Sequence, residues 1–505
     1  MAKNGIVYLV GAGPGRPDLI TVRGLELLRS ADCIVCDKLS SPALLGYARQ
    51  DAEIIPVHKR AGPGSATQDQ INRLIVQAAQ SGKTVVRLKG GDPTIFGRLA
   101  EELAVLIEAG IDFEIVPGVT AALGASAYSG ILLTDRASSS QVVLVTGHEA
   151  EGKTASSIPW PDLARFQGTI VFYMGVTRLC LIADNLISHG MDGRMPCAVV
   201  ADATLPTQRT LRARLDCLAD RCRQEGLEPP AVVIVGPVAA EGDRLDWFDR
   251  LPLFGKTVVA TRDGLGNVEF AGRLAAYGAN ALSYATIRLK ALTESSAFLE
   301  ALSRLQQYHW VVFSSARGVD YFFEALDRLA KDSRSLAGAR VAAIGPATSQ
   351  RLRSFGIRTD LVPPEFTSSQ LAGQLLRQTS LAGQAVLLLR SELADDDLRG
   401  QLASAGAAVD QIAVYTAEPT GDSAKAVVEQ MQQGKVHWLT FASGSEARAF
   451  FDQVPAGLLD TGPTRVASIG PVTSAQLRRL GARVDIEAQV HTLEGIIQAM
   501  IGVRP

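Results

Sequence analysis

Three times in its first 120 residues the chain runs through an apolar, strand-like stretch and ends it in a glycine-rich turn. GIVYLV leads into GAGPGRPDL, VVRLK into GGDP, and FEIV into PGVTAA. Turns at strand ends are where open α/β sheets receive small ligands. Glycine there lets a ligand approach the main chain, because no Cβ stands in the way. Between the turns, a helix is expected over 19–30, strands at CIVCD and EIIPV, a helix near 68–80, and a helix over 95–109. Alternation of this kind specifies a mostly parallel sheet covered on both faces.

A repeat dominates the other half. GKTVVATR (Gly255 to Arg262) returns as GQAVLLLR (Gly383 to Arg390), and HWVVFSSARG (from His309) as HWLTFASGSE (from His437). VAAIGPATSQRLRSFG (from Val341) returns as VASIGPVTSAQLRRLG (from Val466), so the offsets are 128, 128 and 125 residues. Solenoid repeats run to about 20–50 residues. A period this long, with order and spacing preserved, describes two similar α/β lobes of one module.

At 505 residues the chain exceeds one hydrophobic core, and at about 100–200 residues per domain it makes three or four lobes. A formal net charge of −2 gives no sign of the basic stripe that nucleic acid binding requires. MAKNGIVYLV enters a strand without a leader pattern. No apolar run approaches the roughly 20 residues of a membrane span. A cytoplasmic enzyme acting on small molecules is the expectation. All six cysteines precede residue 223. Cys33 and Cys36 sit three apart on a strand and so face opposite ways, which makes them small buried hydrophobes. The six histidines show no ligand spacing, and no metal is expected.

After PGVT the pattern changes to SQVVLVTGH, GTIVFYMG, PCAVVADAT, QRTLRARL and PPAVVIVG, a second lobe with fewer helices. EGDRLDWFDRLPL (241–253) is charged, aromatic and proline-containing and reads as a linker. GAGPG invites comparison with a dinucleotide-binding turn, and Asp37 closes the next strand as that fingerprint wants. The third glycine is missing, since Arg16 stands there, and Pro14 and Pro17 remove N–H donors that a pyrophosphate would use.

Taken together, GAGPG, DKLS, KRAG, RLKGGDPTIFGR, PGVTAALGASAYSGI, VTGH, VFYMG and PCAVV resemble uroporphyrinogen-III C-methyltransferase over residues 4–240. The resemblance implies S-adenosylmethionine as cofactor and two methylations of uroporphyrinogen III, through precorrin-1 to precorrin-2, on the way to sirohaem and cobalamin. It implies a cofactor site lined by Pro14, Gly90, Gly91, Asp92, Ile95, Thr120, Ala121, Met174 and Ala203. Asp37 and Lys59 match the proton acceptor and donor, and Arg60 is placed to bind substrate carboxylates. A homodimer through this half is implied too. Simpler roles stand beside these: Asp92 as a turn residue, Met174 as core. The chain departs from the family at Arg16, Cys36, Gly64 and Asp135, on the substrate side more than the cofactor side.

PLFGKTVVATR, VVFSSARGVDYF, VAAIGPATSQRL, VLLLR, VYTAEP, TFASGSEARAFF, VASIGPVTSAQL and HTLEGIIQAM are similar to uroporphyrinogen-III synthase over 252–501. Members close hydroxymethylbilane to uroporphyrinogen III with inversion of the last ring, and need no cofactor. Tyr415 matches the tyrosine proposed to assist loss of the hydroxyl. Thr348 and Thr473 match the paired IGPxT threonines, and Ser314, Ser315 and Ser443 match hydroxyls of cleft-facing turns. Alone, Tyr415 reads equally as a packing aromatic, and each threonine as a helix N-cap.

The expected fold class is therefore α/β: an N-terminal two-lobed tetrapyrrole-methylase-like fold, then two similar parallel α/β lobes with a cleft. The expected domains are 1–240 (lobes about 1–116 and 117–240), a linker at 241–253, and 254–505. Within the last, lobe A combines about 254–287 with 418–505, and lobe B spans about 292–414. A later-acting tetrapyrrole methylase, or a C-terminal half that binds without catalysis, are the alternatives.

Overall fold

The computed structural model describes residues 4–37, 40–49, 51–57, 67–148, 157–240, 245–420 and 424–503. Its first sheet holds β1 (Ile6–Gly11), β2 (Cys33–Asp37), β3 (Glu53–Val57), β4 (Val85–Lys89) and β5 (Asp112–Val116) in the order β3-β2-β4-β1-β5, all parallel. Helices cover both faces, which is why β2 and β4 read as nearly unbroken buried runs. Cys33 and Cys36 are both buried, in different core clusters on the two faces of the sheet.

The three glycine turns follow β4, β1 and β5, which are neighbours. The sheet therefore gathers onto one edge what the sequence spreads over a hundred residues. The helix expected over 95–109 runs only from Leu99 to Glu108. Phe96 and Arg98 adopt φ of 53° and 55°, left-handed backbone that no helix can contain.

The second sheet comprises β6 (Val142–Thr146), β7 (Thr169–Tyr173), β8 (Pro196–Ala201), β9 (Arg209–Arg214) and β10 (Ala231–Val235), ordered β6-β7-β10-β8-β9. Only β6 and β7 are parallel; β10 and β9 run antiparallel to their neighbours. Residues 245–253, read from composition as a linker, are not free of the methylase-like half. Phe248 is fully buried, the Trp247 indole donates to the Ala127 carbonyl at 2.8 Å, and Asp246 pairs with Arg212 at 2.8 Å. Aromatic rings in this segment supply the packing that its charges conceal in the sequence.

The remaining strands are β11 (Thr257–Ala260), β12 (Asn280–Ser283), β13 (Ile287–Ala291), β14 (Trp310–Phe313), β15 (Arg340–Ala343), β16 (Ala385–Ser391), β17 (Ala408–Pro419), β18 (Trp438–Phe441), β19 (Arg465–Ser468) and β20 (Ile486–Glu487). They form sheets ordered β12-β11-β18-β19-β20 and β13-β17-β16-β14-β15. The expectation of wholly parallel lobes needs one correction, because β13 runs antiparallel to β17. These are the two strands by which the chain enters and leaves the fourth sheet, so they run in opposite senses. By contacts the chain divides into two compact units, Met1–Val258 with Val268–Leu282, and Val259–Asn267 with Ser283–Pro505.

Candidate active sites

Near the strand ends of the first sheet, main chain meets main chain. Gly13 and Gly91 exchange hydrogen bonds, Gly91 N–H to Gly13 O at 2.8 Å and Gly13 N–H to Gly91 O at 3.2 Å. A Cβ on Gly118 would lie 2.3 Å from the Gly91 oxygen, and one on Gly11 would lie 2.6 Å from Gly118. Asp92 ties the turns together. Its carboxylate accepts from Thr94 N–H at 2.7 Å, from the Thr94 hydroxyl, and from Gly118 N–H at 2.9 Å. Burial works against its charge, yet these hydrogen bonds hold the carboxyl below its ordinary value. Asp92 is thus an organiser of the turns, with its oxygens already engaged.

Around this clasp the structure gathers the other cofactor candidates. A Cβ on Gly124 would strike the Pro14 ring at 2.6 Å, so Pro14 packs on the helix Ala121–Ser129. Arg16 N–H donates to the Thr204 hydroxyl at 3.1 Å, bringing the first turn against the segment that carries Ala203. Ile95, Ala121 and Ala203 share a core cluster with Tyr173. Gly91 faces Thr120 and Ala121, with its nearest Cβ approach at 3.7 Å; Gly90 precedes it at the end of β4. The Thr120 hydroxyl does not cap its helix. It bonds instead to the Tyr173 hydroxyl at 2.7 Å.

Met174 is not core. It stands at φ 55° just past β7 and is 49 % exposed. Phe96, Asp202 and Thr204 share this left-handed backbone, and Phe96 packs on Tyr173 with ring centroids 5.1 Å apart. Backbone strain of order 1–3 kcal/mol per residue persists where surroundings enforce it, commonly at ligand clamps. Tyr173 and Phe96 were missed by sequence reasoning. The signal was the VFYMG run itself, in which the methionine drew attention from its neighbour.

Asp37 closes β2 and accepts from Arg87 Nη2 at 2.5 Å. Lys59, Arg60 and Gly64 lie outside the described residues. Asp135 spends its carboxylate on its own turn, accepting from Ala137 and Ser138 N–H at 2.9 Å each. Those bonds hold it below the ordinary carboxylate value.

In the second unit Tyr415 lies on β17, where a register shift against Arg390 and Ser391 of β16 sets Ser391 opposite Tyr415. Its hydroxyl donates to the Ser315 hydroxyl at 3.1 Å, and its ring lies 5.8 Å from that of Tyr321. Burial pushes the phenol up, only partly offset by the Ser315 bond, so it stays protonated at neutral pH. Ser314 donates to the Leu389 carbonyl at 3.2 Å.

The N-cap assignment must be moved. Gly345 and Gly470 occupy those positions, Pro346 and Pro471 open the helices, and Thr348 and Thr473 fall inside the first turn, each 4 % exposed. The capping hydroxyls belong to Ser315 and Ser443, which accept from Gly318 and Glu446 N–H at 3.0 and 3.2 Å. Ser315 and Thr348 sit on helices that pack together, as do Ser443 and Thr473, so the repeat survives in three dimensions. Among the described residues, no hydrogen bond joins Ser443 or Thr473 to Tyr415.

Beside Ser443 lies a carboxyl that the sequence did not single out. Glu446 is 5 % exposed and accepts from Ala442 N–H at 2.8 Å and the Thr261 hydroxyl at 3.3 Å. Burial raises its pKa despite those donors and nearby Arg262. A raised value means its contribution to stability is full below the ordinary carboxylate range and fades as pH rises through the raised one. Glu446→Gln is therefore expected to hold or raise the thermal midpoint of this unit in alkaline solution and to flatten its fall as pH rises above the ordinary carboxylate range. A loss beyond about 5 °C would contradict this, since roughly 2–4 °C corresponds to 1 kcal/mol at this size.

Comparisons with known proteins also divide the chain into an N-terminal and a C-terminal part. The family described as Tetrapyrrole (Corrin/Porphyrin) Methylases matches residues 6–219, and Uroporphyrinogen-III synthase HemD matches 268–498. The porphyrin biosynthesis protein HemD of Ruminiclostridium josui is 32 % identical over 99 % of this chain and 98 % of its own length. The uroporphyrinogen-III C-methyltransferase of Bacillus subtilis is 34 % identical over 74 % of this chain and 76 % of its own. A siroheme synthase of Pseudomonas putida is 49 % identical, over 49 % of this chain and 53 % of that protein, so the chain spans about half of that relative.

Proposed function

Because this chain belongs to the family of the porphyrin biosynthesis protein HemD, with a tetrapyrrole methylase segment followed by a uroporphyrinogen-III synthase segment, we propose that its halves catalyse successive steps. The C-terminal half closes hydroxymethylbilane to uroporphyrinogen III. The N-terminal half then methylates that ring twice to give precorrin-2, the entry to sirohaem and cobalamin.

The observation that carries the methylase reading is the clasp of three glycine turns. Its contacts are main chain to main chain, and we assign Pro14, Gly90, Gly91, Ile95, Thr120, Ala121, Met174 and Ala203 to the cofactor. Turns without side chains let a ligand reach the main chain, which suits S-adenosylmethionine; when bound it would supply an electrophilic methyl on a sulfonium. The protein's part is position: in-line displacement gains most from reactants held in register. Asp37 is assigned to take the proton that the alkylated ring must lose to restore conjugation. Asp92 shapes the turns and does not act on the proton.

In the synthase half Tyr415 is assigned to donate its phenolic proton to the departing hydroxyl, which leaves as water. Ser315, itself fixed as an N-cap, accepts from Tyr415 and holds the ring in place until the substrate's hydroxyl oxygen replaces it as acceptor. Tyr415→Phe is expected to slow type III formation about 100-fold or more, the lower end of the usual range for a positioned acid. The midpoint of unfolding should change little, because the ring is kept. An unchanged rate would remove Tyr415 from the chemistry.

Each half is tested with its own substrate under anaerobic conditions. Uroporphyrinogen III with S-adenosylmethionine should give a dimethylated product, and hydroxymethylbilane alone should give the type III isomer. Unmethylated ring from the first assay, or only the spontaneous type I ring from the second, would refute the corresponding half.

A further inference from the structure

Asp37 is the one exposed end of a chain of charges that otherwise lies out of water. Arg87 on β4 and Glu102 on the helix Leu99–Glu108 have fully buried side chains, and that of Lys89 is 2 % exposed. Glu102 divides its two oxygens between them: Oε1 accepts from Arg87 Nε at 3.1 Å and Oε2 from Lys89 Nζ at 2.6 Å. Gln68 Nε2 adds a donor to Oε1 at 3.3 Å and also bonds Asn72 Oδ1 at 2.9 Å. Arg87 uses its far edge elsewhere. Nη1 donates to the carbonyls of Val35 and Leu88 at 3.3 and 3.2 Å, and Nη2 to Asp37 Oδ1 at 2.5 Å. Every nitrogen of the guanidinium is thus engaged, and its plane is fixed by two strands and a helix.

A guanidinium can do this where an ammonium cannot, because its donors lie in one rigid fork. Two cations and two anions make the cluster neutral, so none of its buried charge is left uncompensated. Asp37 keeps 20 % side-chain exposure. Among the described residues its Oδ2 has no hydrogen-bond partner.

We infer that Arg87, anchored from behind by Glu102, is a positioning residue for Asp37: it grips one carboxylate oxygen so that the other is presented to the substrate at a set angle. Neither Arg87 nor Glu102 touches the reacting atoms. Their effect passes through Asp37, and the inference rests on the reading of Asp37 as proton acceptor.

A double-mutant cycle on the full chain tests it, with methylation of uroporphyrinogen III at saturating S-adenosylmethionine as the rate. Asp37→Asn alone should lower kcat by about 100-fold or more, the lower bound for losing a general base. Arg87→Met alone should lower kcat by roughly 30-fold, with KM for uroporphyrinogen within about threefold. In the Asp37→Asn background the same Arg87→Met change should cost less than about threefold, because the group it positions is gone. Arg87→Lys should recover little. Binding of S-adenosylhomocysteine serves as the check that the site is folded. Should Arg87→Met fail that check, Arg87→Met/Glu102→Leu removes one cation and one anion together and carries the same comparison.

A full 30-fold loss in both backgrounds, or a kcat unmoved by Arg87→Met, would overturn the positioning role while leaving Asp37 intact as the base. A kcat unmoved by Asp37→Asn would overturn the base assignment itself, and with it the ground for this inference.

Discussion

Gly118→Ala is expected to abolish methyl transfer while leaving cyclisation at its full rate. The added Cβ would lie 2.3 Å from the Gly91 carbonyl oxygen and 2.9 Å from the Gly11 Cα. Both are main-chain atoms, so neither can turn aside as a flexible side chain would. The PGVT turn must move away from the GAGPG and GGDP turns, and the Asp92–Gly118 bond at 2.9 Å moves with it. A displacement near 1 Å at a positioned reaction centre costs on the order of 100-fold. S-adenosylhomocysteine affinity should fall by a similar factor. Gly110→Ala is the control: Gly110 has positive φ, 62°, and nothing lies within 4 Å of its Cβ position. It should cost only about 1 kcal/mol of stability and leave cofactor affinity unchanged. Normal affinity in Gly118→Ala would mean that the clasp is not the cofactor site.

Glu102→Ala is expected to produce the largest loss of stability in the methylase half. It strands Lys89, whose side chain is 2 % exposed, without its counter-charge, and leaves the fully buried Arg87 with Asp37 alone. Removing one partner from a buried ion cluster costs about 3–5 kcal/mol, which for a unit of this size lowers the midpoint by on the order of 10 °C. The pH dependence follows in sign. Burial would raise the Glu102 carboxyl, but Arg87 and Lys89 hold it below its ordinary value. Its stabilisation is present above the ordinary carboxylate pKa and lost as pH falls through the depressed one. The wild-type unit should therefore weaken in acid more steeply than Glu102→Ala. Glu114→Ala, which breaks a half-exposed pair with Arg23, should leave the midpoint little changed. Calorimetry at pH 4 and pH 7 separates these cases.

The glycine turns and the 128-residue repeat are legible in the sequence, because both rest on local spacing that the fold preserves. Sequence alone assigns the N-caps of the second unit to the threonines, although the adjoining prolines carry the signal for the correct positions. Proline at the first helical position places Gly345 and Gly470 at the caps, and puts Thr348 and Thr473 three residues beyond them. Other features depend on pairings that no local pattern carries. PCAVVA and AVVIV read as strands, but nothing local says that β8 and β10 pair antiparallel. The spacing of Leu99–Glu108 puts Glu102 on the same inward stripe as Leu99, Leu103 and Leu106, where a carboxylate is out of place by residue type; only the cations of β4 account for it. Tyr173 is a strand residue whose partners lie about fifty positions away at Thr120 and Ala122. The charged segment 245–253 conceals Phe248 in the same way.

The measurement that tests the account most directly is a single anaerobic incubation of the purified chain with hydroxymethylbilane and S-adenosylmethionine, followed by mass and isomer analysis. A dimethylated type III product is expected from this one protein, and unmethylated type III ring when the cofactor is omitted. Only the type I ring, with or without cofactor, would contradict the central claim that one chain carries both steps.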